Sequence, residues 1–306
     1  MITTITPCYR SAEYLPQVVQ KIKNALVNED YQIILVCDGS PDNTFEVIRQ
    51  LCDEDERVVG INLTRNFGQP SARCAAIPHI KGDYVVFLDD DGEHPTEEIL
   101  NLVKKLQEGY DICYADFTTQ THGVFKRFSS KVNTYMMRLL LGVPKGIRPS
   151  SFFAVKKFVA KSLENYKSPT PYTIGYFLQV TRNVCNLKMA HNKRISGKST
   201  YSFKKLVNIW IDGLTSFSIV PLRIASVLGV STSLIGIVYG IFIVIRRLIN
   251  PSLAAGFASI LAALLFSTGI IMFLLGLLGE YIGRIYMSLN NIPQYAVREV
   301  INGEDD

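Results

Sequence analysis

Tyr84-Val85-Val86-Phe87-Leu88-Asp89-Asp90-Asp91 passes directly from five apolar or aromatic residues to three carboxylates. A short apolar run that stops in a charged cluster reads as a buried strand ending in a turn. Outward from it the alternation repeats. Upstream, residues 2–6, 32–36 and 58–63 read as strands, separated by helical patterns over 14–27, 45–52 and 71–80. Downstream, Pro95 and Thr96 start a helix over 97–107. Strands alternating with helices predict a mainly parallel sheet covered on both faces, an α/β fold. In such sheets ligands bind at the carboxyl ends of the strands. Both Asp38 and the cluster Asp89, Asp90 and Asp91 fall there.

The C-terminal third has a different character. Residues 224–245 hold no charged side chain across 22 positions, and 253–278 none across 26. A helix of about 20 apolar residues crosses the hydrocarbon core of a bilayer. The alternative is a pair of buried core helices, against which the length of the uncharged runs weighs. The connection 246–252 contains Asn250-Pro251 and is short, so a hairpin of two transmembrane helices is expected. Two further stretches have the pattern of basic amphipathic helices suited to a membrane interface. Over 203–217 the apolar face is Phe203, Leu206, Val207, Trp210, Leu214 and Phe217, with Lys204 and Lys205 at its start. Over 125–141, Phe128, Val132, Tyr135 and Leu139 oppose Arg127, Lys131 and Arg138. Packing on the soluble domain is the alternative for both. The expected division is a catalytic domain over 1–201, a juxtamembrane helix over 202–220, two spans over 221–283 and a tail over 284–306.

The net charge of +5 in 306 residues is too small to argue for nucleic acid and suits an anionic membrane surface. Six cysteines without a CxxC pair read as reduced thiols. Lys204, Lys205, Arg223 and Arg284 flank the spans on the large-domain side, against Arg246 and Arg247 in the opposite loop. That balance places the large domain, and the tail, in the cytoplasm at the cell membrane. No cleavable signal peptide is expected at the N-terminus.

Carboxylates on alternate positions, Asp89 and Asp91, share one side of an extended segment. Hard oxygen ligands suit Mg2+ or Mn2+, which share their shell with substrate phosphates. Such an ion would neutralise a diphosphate leaving group. A solvated acidic turn is the plain alternative. Asp38, followed by the turn residue Gly39, is placed to accept from a base or ribose, though Asp-Gly is also an ordinary turn. Arg65-Asn66-Phe67-Gly68-Gln69 suits a phosphate or sugar pocket, or an exposed loop. In 191–201, Arg194 and Lys198 offer positive charge to a diphosphate, or to lipid headgroups. His79, His94, His122 and His191 show no metal-ligand spacing and read as surface or outer-shell residues.

In order, the chain shows Thr6-Pro7-Cys8-Tyr9, Asp38-Gly39-Ser40-Pro41-Asp42, Arg65-Asn66-Phe67-Gly68-Gln69, Asp89-Asp90-Asp91, Arg194-Ile195-Ser196-Gly197-Lys198-Ser199-Thr200-Tyr201 and Leu278-Gly279-Glu280-Tyr281-Ile282-Gly283-Arg284. This set closely resembles the polyisoprenyl-phosphate glycosyltransferases of glycosyltransferase family 2, over nearly the whole chain. The resemblance implies a glycosyltransferase A fold, a divalent cation and inversion at the anomeric carbon. It implies that Pro7, Tyr9, Glu13 and Asp38 hold the nucleoside, that Asp90 belongs to the donor site, and that Asp89 and Asp91 flank the metal. Lys126, Arg127 and Ser130 match the segment that holds the lipid phosphate. Arg194, Ser199 and Tyr201 match the loop that closes on the donor. The expected catalytic set is thus Asp89, Asp91, Arg127 and Arg194.

The chain departs from that pattern at Arg10, at Cys37 (an Asp in many members), at Glu93 (often Gln), at Phe117 (often Arg) and at Ser150-Ser151-Phe152-Phe153 (often Gly-Asp-Phe-Arg). Cys37 leaves Asp38 to serve the nucleoside alone. The implied reaction moves one sugar from a nucleotide-sugar to polyprenyl phosphate for cell-envelope glycan modification. UDP-glucose stands first as donor, with UDP-N-acetylhexosamine, UDP-formamido-arabinose and GDP-mannose as alternatives. A non-catalytic nucleotide-sugar-fold binding protein is the reading from another class. A processive polysaccharide synthase is disfavoured, because the chain lacks further spans and a Gln/Arg-Arg-Trp motif. Two-span anchors often associate, which leaves a homo-oligomer open.

Overall fold

A computed structural model of the chain describes residues 1–117, 143–166, 168, 171–190, 220–249, 256–290 and 293–303. The chain divides into two units, Met1–Leu206 with Asn291–Asp306, and Val207–Asn290.

The first unit is built from the alternation read above. β1 (Ile2–Cys8), α1 (Leu15–Ala25), β2 (Tyr31–Cys37), α2 (Thr44–Glu54), β3 (Val58–Leu63), α3 (Gln69–Ala76), β4 (Tyr84–Phe87) and α4 (Ile99–Gln107) follow in order. β5 (Ile112–Asp116), β6 (Phe153–Lys156), α5 (Lys157–Lys161), α6 (Thr173–Val180) and β7 (Val184–Lys188) complete the run before the second unit. The helix expected over 71–80 begins earlier, at Gln69, and ends in a 3-10 turn, Ile77–His79, where Pro78 cannot continue the α ladder.

With β8 (Val297–Ile301), the eight described strands form one sheet in the order β7-β5-β6-β4-β1-β2-β3-β8. β1 pairs in parallel with β2 and β4, β2 with β3, and β5 with β7, whereas β6 runs antiparallel to both β4 and β5. A sheet covered on both faces buries its central strands on both sides. β1 and β2 are buried at every position. Ile33, Leu35 and Cys37 face a core with α1, α2 and α4. Ile34 and Val36 face the opposite core with α3, α5 and α6.

The C-terminal stretch corrects the expected layout. Within the stretch expected as a tail, the last helix continues to Leu289, and Val297–Ile301 forms β8, antiparallel to β3 at the sheet edge. An Arg49–Glu299 ion pair of 2.9 Å and hydrogen bonds from Asn302 Nδ2 to the carbonyls of Cys52 (2.8 Å) and Val58 (3.0 Å) fasten it.

The second unit contains α7 (Val220–Ile249, 30 residues) and α8 (Phe257–Leu289, 33 residues). Arg246, expected in the connecting loop, lies within α7. Leu222–Ile243 and Phe266–Leu289 are long and apolar enough to cross a membrane. The amphipathic segments expected over 125–141 and 203–217 lie outside the described residues.

Candidate active site

Five parallel strands and the start of the reversed β6 bring Tyr9, Asp38, Arg65, Asp89, Phe117 and Ser151 to one edge of the sheet, as the strand directions require. Two loops there are tied together. Gly39 has φ +56°, and a Cβ on it would collide with the backbone of Arg65. Only glycine therefore lets the segment at Arg65 and Asn66 lie against the end of β2. Asp38 then accepts the Phe67 N–H at 2.7 Å through Oδ1 and the Gly68 N–H at 2.8 Å through Oδ2.

Asp38 is 3% exposed, and each of its oxygens accepts one backbone amide, so it anchors the loop at Phe67 and Gly68. Burial raises its pKa above the usual carboxylate range, opposed by the two amide hydrogen bonds. Nearby, Asp42 Oδ1 accepts from Ser40 Oγ at 2.5 Å and Thr44 Oγ1 at 2.6 Å. Burial works against the charge of Asp42, but these hydrogen bonds outweigh it and hold the carboxyl low. Ser40 Oγ in turn accepts the N–H of Arg10, whose φ of +57° turns the chain after β1. Tyr9 is left 42% exposed at this rim, and Glu13 is also exposed, whereas Pro7 is buried within β1.

The acidic cluster is a turn, not the extended segment from which Asp89 and Asp91 were expected to share a side. Asp91 Oδ1 accepts the Glu93 N–H at 3.0 Å, and Gly92 has φ +71°. Asp90 reaches across to β1, where its Oδ2 accepts the Tyr9 N–H at 3.1 Å. Burial pushes the Asp90 carboxyl up to about 6, with the charges of Asp89 and Asp91 adding to the rise and the Tyr9 amide opposing it. Asp89 Oδ1 lies 3.3 Å from a guanidinium nitrogen of Arg73, and Gln69 Nε2 lies 3.5 Å from the same oxygen. Among the described residues, no three His, Cys, Asp or Glu side chains converge on one point as a ready metal cage. The donor chemistry nonetheless fits a hard divalent cation whose shell is completed by substrate oxygens: three carboxylates in one turn, one of them already costly to ionise.

Sequence reading did not single out Arg73 and gave His94 no more than a surface or outer-shell place. Arg73 is 4% exposed, packed over the rings of Phe87 and Phe153 at 5.8 and 5.7 Å. His94, read as a surface or outer-shell residue, is 5% exposed beneath Asp89. A signal for Arg73 exists: Gln69 and Arg73 stand four apart on one face of an otherwise small and apolar helix. Lys126, Arg127, Ser130, Arg194, Ser199 and Tyr201 lie outside the described residues.

Residues 3–163 match the family profile described as glycosyl transferase family 2, and residues 220–285 match the GtrB C-terminal hairpin. The undecaprenyl-phosphate 4-deoxy-4-formamido-L-arabinose transferase of Shewanella sediminis is 33% identical over 99% of this chain and 93% of its own length. The uncharacterized glycosyltransferase YkcC of Bacillus subtilis is 30% identical over 96% of this chain and 92% of its own. Among solved structures, the glucosyl-3-phosphoglycerate synthase of Mycobacterium tuberculosis overlaps with a TM-score of 0.48 at 18% identity, covering 71% of this chain and 79% of that one. With one family profile over more than half of its length, a second over its apolar hairpin and relatives matched nearly end to end, the chain belongs to glycosyltransferase family 2, among the membrane-associated polyprenyl-phosphate glycosyltransferases.

Proposed function

We propose that the chain transfers one sugar, with inversion, from a nucleotide-sugar to a polyprenyl phosphate such as undecaprenyl phosphate, in support of cell-envelope glycan modification. The observation that carries this reading is the acidic turn at the end of β4, held against β1 through Asp90 and against α3 through Arg73. The relatives' names point to 4-deoxy-4-formamido-L-arabinose as the sugar, which moves ahead of glucose in the order of donors to test.

The lipid phosphate oxygen attacks the anomeric carbon from the side opposite the leaving nucleoside diphosphate. A phosphate monoester loses its second proton near pH 6, so at neutral pH the acceptor is mostly dianionic and needs no strong base. Ser150 and Ser151, where relatives often carry an Asp, are compatible with that economy. Asp89 and Asp91 would hold Mg2+ or Mn2+, which when bound supplies charge neutralisation to the departing diphosphate. Tyr9 and Glu13, exposed at the rim, are assigned with Pro7 and Asp90 to the donor side. Asp38 serves that side indirectly, by fixing the loop at Phe67 and Gly68. Lys126, Arg127 and Ser130 are assigned to the acceptor phosphate, and Arg194, Ser199 and Tyr201 to closure over the donor. Bringing two polyanions together is the main task of these cationic groups.

We further place the two apolar helices across the cell membrane as a hairpin, with the large domain in the cytoplasm. β8 supports the hairpin: it belongs to the same sheet as β1, so the chain between them leaves and returns on one side. Membranes containing the chain, supplied with a panel of labelled nucleotide-sugars and undecaprenyl phosphate, test the whole reading. A lipid carrying one sugar supports it; a polymer or no product rejects it.

A further inference from the structure

His94 makes contacts that a merely packed histidine does not need. Its Nδ1 accepts the backbone N–H of Asp89 at 3.0 Å. A backbone N–H can only donate, so Nδ1 presents its lone pair, and the neutral ring carries its proton on Nε2. That Nε2–H faces two acceptors, Ser151 Oγ at 3.4 Å and Asp89 Oδ2 at 3.6 Å. The second distance is a charge–dipole contact rather than a formed hydrogen bond. Two neighbouring rings hold its plane. Phe152 stacks on it at 4.9 Å with 14° between planes, and Phe117 lies nearly parallel at 6.1 Å. The other oxygen of Asp89 is held by Arg73, itself buried. One carboxylate is thus flanked by a guanidinium on one oxygen and an imidazole N–H on the other, while the same imidazole holds its main chain.

We propose that His94 is a positioning residue: it uses Nδ1 to fix the backbone of Asp89 and Nε2–H to orient its carboxylate, so that Asp89 meets the donor's diphosphate and its cation already aimed. This rests on the reading of Asp89 as a cation ligand. Partners that orient a metal-binding side chain typically contribute about 10–100-fold in metal affinity when lost. Phe117 and Ser151 gain a role from the same contacts, as the ring's second wall and as the alternative acceptor for Nε2–H.

The test uses the full chain in lipid nanodiscs at pH 8, with Mn2+ binding followed by electron paramagnetic resonance in the presence of UDP, and thermal melting measured alongside. His94→Phe keeps an aromatic ring between Phe117 and Phe152 and removes both polar arms. It is expected to weaken Mn2+ binding about tenfold or more while melting within a few degrees of the native chain. His94→Gln reaches toward the Nε2 position and His94→Asn only toward that of Nδ1. Each keeps one arm, so both are expected to bind Mn2+ less tightly than native and more tightly than His94→Phe. Folded His94→Phe that binds Mn2+ within about twofold of native, or Gln and Asn chains that both bind no better than Phe, overturns the proposal. If His94→Phe does not fold, Gln and Asn chains that both bind within about twofold of native overturn it. Asp89→Asn separates the two readings. Loss of binding there with none in His94→Phe strikes His94 alone. A native chain that binds no Mn2+, or an Asp89→Asn chain that binds it normally, overturns both.

Discussion

Ile34 in β2 is fully buried and Ile235 in α7 is 68% exposed. The same residue type serves both units with opposite outcomes. In the sheet unit, isoleucine, valine and leucine fill two cores on either face of the strands. In the helical unit, Val227, Leu228, Ile237, Val238, Ile241 and Phe242 of α7 are all more than half exposed. An apolar surface of that extent suits an apolar surrounding rather than water. The first unit makes its hydrophobic environment; the second requires one to be supplied, and a bilayer is the medium that fits helices of this length.

That contrast can be broken or sharpened. The largest effect belongs to chemistry confined to the sheet unit. Asp89→Ala or Asp91→Ala is expected to lower transfer about a thousandfold, equivalent to about 4 kcal/mol, while membrane fractionation shows the hairpin still inserted. Normal turnover would remove the cation from its assigned place. Next comes a matched pair of truncations. Ile34→Ala should cost about 3 kcal/mol of stability, whereas Ile235→Ala should shift the melting of detergent-solubilised protein hardly at all. Equal losses would mean that α7 is a core helix. Ile235→Lys should disfavour insertion by about 3–4 kcal/mol, read as loss from the membrane fraction in an insertion assay; an unaffected distribution would place α7 in water.

The smallest effect concerns pH. Asp55 accepts hydrogen bonds from Arg57 at 2.9 and 3.0 Å and pairs with Lys23 at 2.9 Å, which holds its pKa well below the usual range despite burial. A depressed folded pKa means stability that is present above the unfolded value of about 3.9 and is lost as pH falls below it. Asp55→Asn should therefore cost about 1–2 kcal/mol at pH 7, and the gap in melting temperature from the native chain should close as pH falls from 4 toward 2. A gap independent of pH would assign the loss to packing instead.

Much of this architecture was readable in advance because it is written in local pattern. The stretch from Ile33 to Cys37 in β2 and the run in β4 are continuously apolar, as strands of a sheet buried on both faces are, and the acids that follow mark the strand ends. β8 was not readable. Val297-Arg298-Glu299-Val300-Ile301 is five residues long, carries two charges, and finds its partner in β3 far back along the chain. Nothing local distinguishes such a segment from a solvated tail. The site divides the same way. The acidic turn announced itself by composition. The burial of His94 and Arg73 did not, since a polar residue goes inside only when its partners are already there, and those partners come from α3, β4 and the start of β6. Asp38 is a conspicuous motif residue whose oxygens each accept an amide of the loop it secures.

The late position of β8 has a consequence for biosynthesis. At about 5–20 residues per second, a ribosome needs roughly ten to fifty seconds after finishing β3 before it has made the strand that seals it. Throughout that interval the flank of β3 is an open template for any passing extended segment. Nascent chains halted within the apolar helices would carry an unfinished sheet with the flank of β3 unpaired.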